Sequence, residues 1–215
     1  MKNINLKIKP YSLWLSYNII NKPVIQNMLP PGMELADIKI SDDNECKEPK
    51  LLFNCYNIES FWMKGSRLEI MTIAKYEKKF HFIVLDCVSN TLQWDPINRI
   101  KGPNGKIKIK FNYKQENLNY DIISNNKILK FVGEPLNLIK MTKDFAIKSN
   151  YNCFFRDSSI PLSLTFNEKE IMHPVRKLKV VNITNDFWKE HRTDLPEHIF
   201  MHEHVMNFKT NMPFI

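Results

Sequence analysis

Residues 106–114, KIKIKFNYK, alternate without interruption between a lysine or asparagine and an apolar or aromatic side chain. A period of two places successive side chains on opposite faces of an extended strand and is incompatible with the 3.6-residue period of a helix. Ile107, Ile109, Phe111 and Tyr113 therefore share one face, and Lys106, Lys108, Lys110, Asn112 and Lys114 share the other. Such a strand is half-buried and antiparallel, with a wet lysine face, and it needs a second layer to cover its apolar side. The segments NYDIIS and KILKFVG follow, on either side of Asn125-Asn126, and read as a hairpin turned at the two asparagines.

The rest of the chain repeats the theme. Residues 11–20, YSLWLSYNII, are rich in aromatic and branched side chains and predict a strand. Asn21 is positioned to cap a short helix with Pro23 in its first turn, running to about Met28. Pro30, Pro31 and Gly32 end it, and Met33 to Ile40 leads out extended. Residues 41–50 are polar and read as a surface loop. LLFNCYNI (51–58), RLEIMTIAKY (67–76) and HFIVLDCV (81–88) are three further strands, the latter two fitting a sheet with at least one face buried. Asp95-Pro96 can start a helical turn, and residues 102–105, GPNG, form a bend. Helical pieces are predicted near 142–149 and from Asp186 to Arg192, with Thr184 or Asn185 as cap. So many strands must hide their edges, which favours a closed or nearly closed antiparallel sheet with few helices.

Composition narrows the function classes. The chain has 215 residues, 43% of them hydrophobic, enough for one domain with a sizeable core. The net charge of +8 comes from dispersed lysines, with no basic run of five, no RNP-like aromatic pattern and no zinc-finger spacing. A solvated surface is the expectation, with no nucleic-acid and no membrane partner. Cys46, Cys55, Cys87 and Cys153 form no CxxC and are expected as reduced, mostly buried thiols. The N-terminal residues carry no apolar signal region, and no stretch approaches 18 apolar residues, so a soluble, cytoplasmic location is expected.

The segment Met28-Leu29-Pro30-Pro31-Gly32-Met33-Glu34-Leu35 is, physically, a helix stop leading into a strand. It resembles the LPPGLEL-type segment of the acetoacetate decarboxylase-like proteins. In the same order, Gly65-Ser66-Arg67-Leu68-Glu69 resembles that family's Gly-x-Tyr-x-Glu strand, with Arg67 where an aromatic is usual. Leu85 to Asn90 is similar to the segment that precedes the family's active-site helix. Asp95 to Lys101 falls where the family carries REIxGFPKK, and Lys101 lies within one residue of the lysine that forms a Schiff base. The matches span about residues 11–135, and 136–215 offer nothing to align.

The resemblance implies a mainly β fold: an antiparallel β-barrel or cone with a few short peripheral helices, as a single domain over 1–215. It implies lysine-dependent chemistry on a small keto acid or related carbonyl, of the decarboxylase or aldolase–dehydratase type, with no cofactor and no metal. A lysine of ordinary pKa is almost wholly protonated at neutral pH, so an amine that attacks a ketone must be desolvated or placed beside a cation, as in acetoacetate decarboxylase itself. Lys101 would be that amine, Glu69 the acidic residue that orients substrate or moves a proton, and Arg99, two residues from Lys101, a neighbouring cation in an extended segment. Arg67, Trp94 and Asp86 are the substrate-binding candidates. Gly102 stands where the family has a second lysine, and Arg99-Ile100 where it has Gly-Phe-Pro. That departure leaves open a second reading, a non-catalytic barrel for a small apolar ligand that has lost the activated lysine. A homo-oligomer is allowed, its state unspecified.

A different class is represented by His198, His202 and His204 in HIFMHEHVMNF. On a strand, His202 and His204 share a face, a spacing that suits a metal, although hydrogen-bonded histidines on an apolar face are the commoner outcome. Trp62, Trp94 and Trp188 read as core or pocket-lining aromatics.

Overall fold

The computed structural model describes residues 3–40, 47–59, 64–91, 103–112, 114–139, 150–155, 162–166 and 174–211. The predicted Asp95-Pro96 turn and the helix near 142–149 lie outside them. The strands, in chain order, are β1 (Asn3–Ile8), β2 (Ser12–Asn18), β3 (Glu34–Leu35), β4 (Lys50–Glu59), β5 (Lys64–Tyr76), β6 (Lys79–Ser89), β7 (Lys106–Asn112), β8 (Asn117–Ser124), β9 (Lys127–Ile139), β10 (Asn150–Phe155), β11 (Leu162–Phe166), β12 (Val175–Asn185), β13 (His198–His202) and β14 (Met206–Asn211). All fourteen belong to one sheet. Every pairing is antiparallel except β6 with β10.

β4 is the junction. It pairs with β5 from Leu51 to Glu59 on one side. On the other side it pairs first with β2 through Lys50–Cys55 and then with β1 at Ile58 and Glu59. From that fork, one set of pairings returns on itself through β5, β6, β10, β11, β14 and β1. The other runs out as an arm, β2–β13–β12–β9–β8–β7. The sheet as a whole is thus mainly β and barrel-like without being one closed cylinder. That is the antiparallel β-barrel or cone class expected from the sequence, with few helices.

The consequence is that β2, β4, β5 and β6 form a wall covered on both faces. Leu13, Leu15, Tyr17, Phe53, Cys55, Leu68, Ile70 and Ile83 pack toward the arm. Leu52, Met71, Ile73, Phe82 and Val84 face the other way, joined by Phe200. Beyond them, toward β1 and β14, lie Tyr56, Ile58, Leu6 and Phe208. A strand buried on both faces reads as a near-continuous apolar run, which is why LLFNCY shows no alternation.

Local expectations fare variously. In β7, Ile107 is buried and Lys106, Lys108 and Lys110 are exposed, as the alternation requires. Asn125 and Asn126 both take positive φ, 47° and 63°, between Ser124 and Lys127, the geometry of a two-residue hairpin turn with the favoured twist. The short helix α1 (Lys22–Asn27) follows Asn21 with Pro23 in its first turn, but the Asn21 side chain makes no capping bond. The helix expected from Asp186 to Arg192 is instead one 3-10 turn at Lys189–His191. There the Asn185 side-chain oxygen Oδ1 accepts the Phe187 N–H at 3.0 Å and Trp188 is left-handed at φ 54°, so a side-chain turn replaces the first helical turn. Lys50, read as the end of a surface loop, is buried as the first residue of β4. Its ammonium donates to Glu48 at 2.8 Å and to Glu197 and Asn18. Finally, β13 ends at His202 and β14 begins at Met206, so His204 lies in the connection, not on a continuous strand with His202.

Candidate functional site

The polar interior of the wall is built from three neighbouring strands. Register places Asn54 of β4 opposite Glu69 of β5, and Glu69 opposite Cys87 of β6. One step along, Tyr56 lies opposite Arg67. Alternation then sends Tyr56, Arg67, Glu69 and Cys87 to the same side, away from the arm.

A β-bulge decides which residue of β6 joins them. Met71 pairs with Val84 and Ile70 with Asp86, so Leu85 is the extra residue. Without it, Asp86 would share the face of Phe82 and Val84. With it, Asp86 points toward the arm, where it accepts the Trp188 indole N–H at 3.2 Å, and Cys87 turns toward Glu69.

The Tyr56 hydroxyl donates to Glu69 Oε1 at 2.7 Å, and Arg67 Nη1 lies 3.6 Å from the same oxygen. Among the described residues Glu69 Oε2 accepts no hydrogen bond, and the Glu69 side chain keeps 13% of its surface open. One carboxylate oxygen is thus held and the other remains available to a ligand or a proton. Burial, then the Glu69 charge, pushes the Tyr56 phenol well above its ordinary value, so it stays a donor at neutral pH. Burial opposes the Arg67 cation, but Tyr56 and Glu69 outweigh it and hold its pKa above the usual range. The Cys87 thiol is pushed up to about 12 by burial, with the Glu69 charge adding, so it is no thiolate nucleophile at neutral pH.

The chain leaves and returns to this site at one point. The Thr91 N–H donates to Ser89 Oγ at 3.0 Å just past the end of β6. Asn104, just before β7, accepts the Ser89 N–H at 2.7 Å, donates its own N–H to the Ser89 carbonyl at 2.9 Å and its side-chain amide to the Cys87 carbonyl at 2.9 Å. Gly105 completes the staple with an N–H donated to the Ser89 carbonyl at 3.2 Å. A side chain is excluded there, because a Cβ on Gly105 would collide with Val88 Cγ1. Ser89 is itself the strand partner of Arg67.

Of the residues singled out from sequence, the structure brings together Arg67 and Glu69 and directs Asp86 elsewhere. Lys101, Arg99 and Trp94 lie outside the described residues. Sequence reasoning missed Tyr56, Cys87 and Asn104. The available signal for Tyr56 was Asn54, a polar residue inside an apolar run, which marks the polar face two residues before it. His202 and His204 meet edge to face at 5.9 Å. No group of three metal-ligating side chains occurs among the described residues, and no described helix is long and apolar enough to cross a membrane.

No family model matches the sequence, and no curated protein matches it. Solved structures do. An acetoacetate decarboxylase-like enzyme from Sphingomonas wittichii RW1 superposes with a TM-score of 0.57 at 6% identity, over 98% of this chain and 92% of that one. The enduracididine biosynthesis enzyme MppR gives 0.55 at 10% identity, over 97% and 85%. Acetoacetate decarboxylase from Legionella pneumophila gives 0.52 at 11% identity, over 95% and 84%. The likeness extends through the last third of the chain, where no sequence match is legible.

Proposed function

We propose, from the acetoacetate decarboxylase-like fold that this chain has, that it performs lysine-dependent chemistry on a small keto acid or related carbonyl compound. Lys101 is the imine-forming amine in this reading, and Glu69 handles the proton. The observation that carries it is the Glu69 carboxylate, with Oε1 held by Tyr56 and Arg67 and Oε2 left to act. The staple at Ser89 adds support. Lys101 is three residues from Asn104, so covalent connectivity keeps their Cα atoms within about 11 Å. MppR, which shares the fold, has been seen with pyruvate and with the condensation product of pyruvate and imidazole 4-carboxaldehyde. Those ligands set the first substrates to try.

In the proposed cycle the neutral Lys101 amine adds to the carbonyl carbon, the carbinolamine oxygen takes up a proton that the final hydrolysis later returns, and water departs, leaving an iminium. For a β-keto acid, the bond to the carboxylate then breaks, carbon dioxide leaves, and its electron pair moves into the iminium to give an enamine. A proton returns to carbon, with Glu69 as carrier, and water releases product and amine. Arg67 offers fixed positive charge on the same face as Glu69, which disfavours the ammonium form of a nearby lysine where Gly102 replaces the family's second lysine. Tyr56 holds Glu69 in one orientation.

Gly102 also favours the second reading, a barrel that binds a small ligand without turnover. Borohydride trapping with pyruvate and acetoacetate, followed by peptide mass spectrometry, separates the two. A reduced adduct on Lys101 that is absent in Lys101→Ala supports imine chemistry. Binding of either keto acid by calorimetry with no adduct on any lysine overturns it in favour of the binding barrel.

A further inference from the structure

β7 is the last strand of the arm, and among the described residues it pairs with β8 alone. In an antiparallel ladder alternate residues turn their N–H and C=O groups to opposite edges. The Ile107 carbonyl marks the outer edge, because it accepts the Asn90 side-chain N–H at 3.2 Å. Ile109, two residues on, therefore presents its own N–H and C=O on that edge. Asn90 and the Gly105 staple meet β7 at its start, and no described strand continues along it from there.

Both faces of this edge are unfinished. On the inner face Ile107 is buried, whereas Ile109 and Phe111 are half-buried, as is Tyr11, which stacks on Phe111 at 4.6 Å and 5°. All three pack against the main core, so its cover thins toward the end of β7. On the outer face Lys106, Lys108 and Lys110 are exposed, about 7 Å from one to the next. Their partners on β8 are Ile123, Asp121 and Asn119, one acid for three lysines, and Asp121 has Lys130 on its other side. Among the described residues these three lysines make no ion pair.

An edge with these two faces selects what can pair with it. A second copy of β7 would set lysine against lysine, which opposes self-association through this edge. A strand with acidic side chains at every second position places them opposite Lys106, Lys108 and Lys110. Its intervening residues then lie over Ile109 and Phe111, where apolar side chains remove area from water. The Ile109 N–H and C=O bond to the residue directly opposite, which is one of the apolar ones.

We propose that the outer edge of β7 is a docking site for an extended segment of a partner protein in which acidic and apolar residues alternate, added to the sheet as a further strand. The site is independent of the chemistry assigned to Glu69 and Lys101.

The test is fluorescence anisotropy on the full chain with a labelled seven-residue probe of alternating glutamate and valine. The probe is expected to bind saturably, at least tenfold tighter than a peptide of the same composition with its glutamates in one block. N-methylation of the valines, whose N–H groups face β7, should weaken binding at least tenfold. N-methylation of the glutamates, whose N–H groups face away, should weaken it less than threefold. Lys106→Gln/Lys108→Gln/Lys110→Gln should also weaken binding at least tenfold, with a thermal melt to show that the variant is folded; the peptide series on wild type stands without it. No saturable binding, equal binding of the block peptide, or equal loss from methylation in either phase overturns the proposal. So does a folded lysine variant that binds as wild type does. A single-stranded oligonucleotide that competes as well as the unlabelled probe would make this a general polyanion surface, and a dimer in sedimentation that the probe disperses would assign the edge to a second copy; either result overturns it.

Discussion

Removing the two carboxylates around Lys50 should cost more stability than removing Lys50 itself. The Lys50 side chain has no exposed surface, whereas Glu48 and Glu197 keep 32% and 29% of theirs. In Glu48→Gln/Glu197→Gln the ammonium stays buried with neutral acceptors only, including Asn18. Leaving a buried charge without its counter-charge typically costs 3–5 kcal/mol, and retention of the amide oxygens puts this case near about 3 kcal/mol. In Lys50→Met the apolar stem is preserved, and the two carboxylates are left where water reaches them. That loss should be about 1–2 kcal/mol, mostly mutual repulsion at partly screened distance. Urea unfolding at pH 7 reads both. With a slope of about 3 kcal/mol/M, the midpoints should fall by about 1 M and about 0.5 M respectively, with the slope unchanged. The triple variant should recover most of the larger loss, since it removes the charge along with its partners. If Lys50→Met costs as much as the double glutamine variant, the asymmetry of burial does not govern this network, and the reasoning fails.

Four further outcomes follow from the geometry. Glu69→Gln should lower turnover about 10²- to 10⁴-fold while leaving a trappable adduct on Lys101, read by steady-state kinetics beside borohydride trapping; loss of the adduct alone with turnover intact would contradict the assigned roles. Tyr56→Phe removes a hydrogen bond to a carboxylate and should cost about 1.5–3 kcal/mol in urea unfolding. Gly105→Ala should destabilise by forcing Val88 and the Ser89 staple apart, and a melting temperature equal to wild type would show that the chain relaxes there at no cost. Stability should fall at alkaline pH. Tyr17 and Cys87 are raised by burial to about 12 from ordinary values of 10.0 and 9.0, so the unfolded chain releases those protons first. The contribution is complete below about pH 9 and is lost as pH rises toward 12; melting temperatures that stay level from pH 8 to 11 would disprove it.

The candidate site was partly legible. Glu69 and Arg67 were picked out through the resemblance of Gly65 to Glu69 to the family's strand, and because β5 runs extended through both, two residues apart, they share one face. The direction in which Asp86 points could not be read from alternation. The alternation that runs through Phe82 and Val84 is broken by the bulge at Leu85, and nothing in HFIVLDCV announces it. Cys87 was expected as a reduced thiol and is a free cysteine, but its place beside Glu69 follows from the bulge and could not be read from the sequence.

What the sequence by itself determined is the set of local choices: the two-residue period of β7, the Asn125-Asn126 turn, and the stop at Pro30-Pro31-Gly32. Each depends on side chains within a few residues of one another, so a linear reading reaches it. Only the tertiary structure decided which strands meet, that β4 serves three partners, and that the row of Asn54, Glu69 and Cys87 crosses three strands. It also decided that Lys50 is buried, because one of its acceptors, Glu197, is 147 residues away along the chain. A buried charge or a shared face between strands is a property of remote partners, and local pattern carries no record of who those partners are.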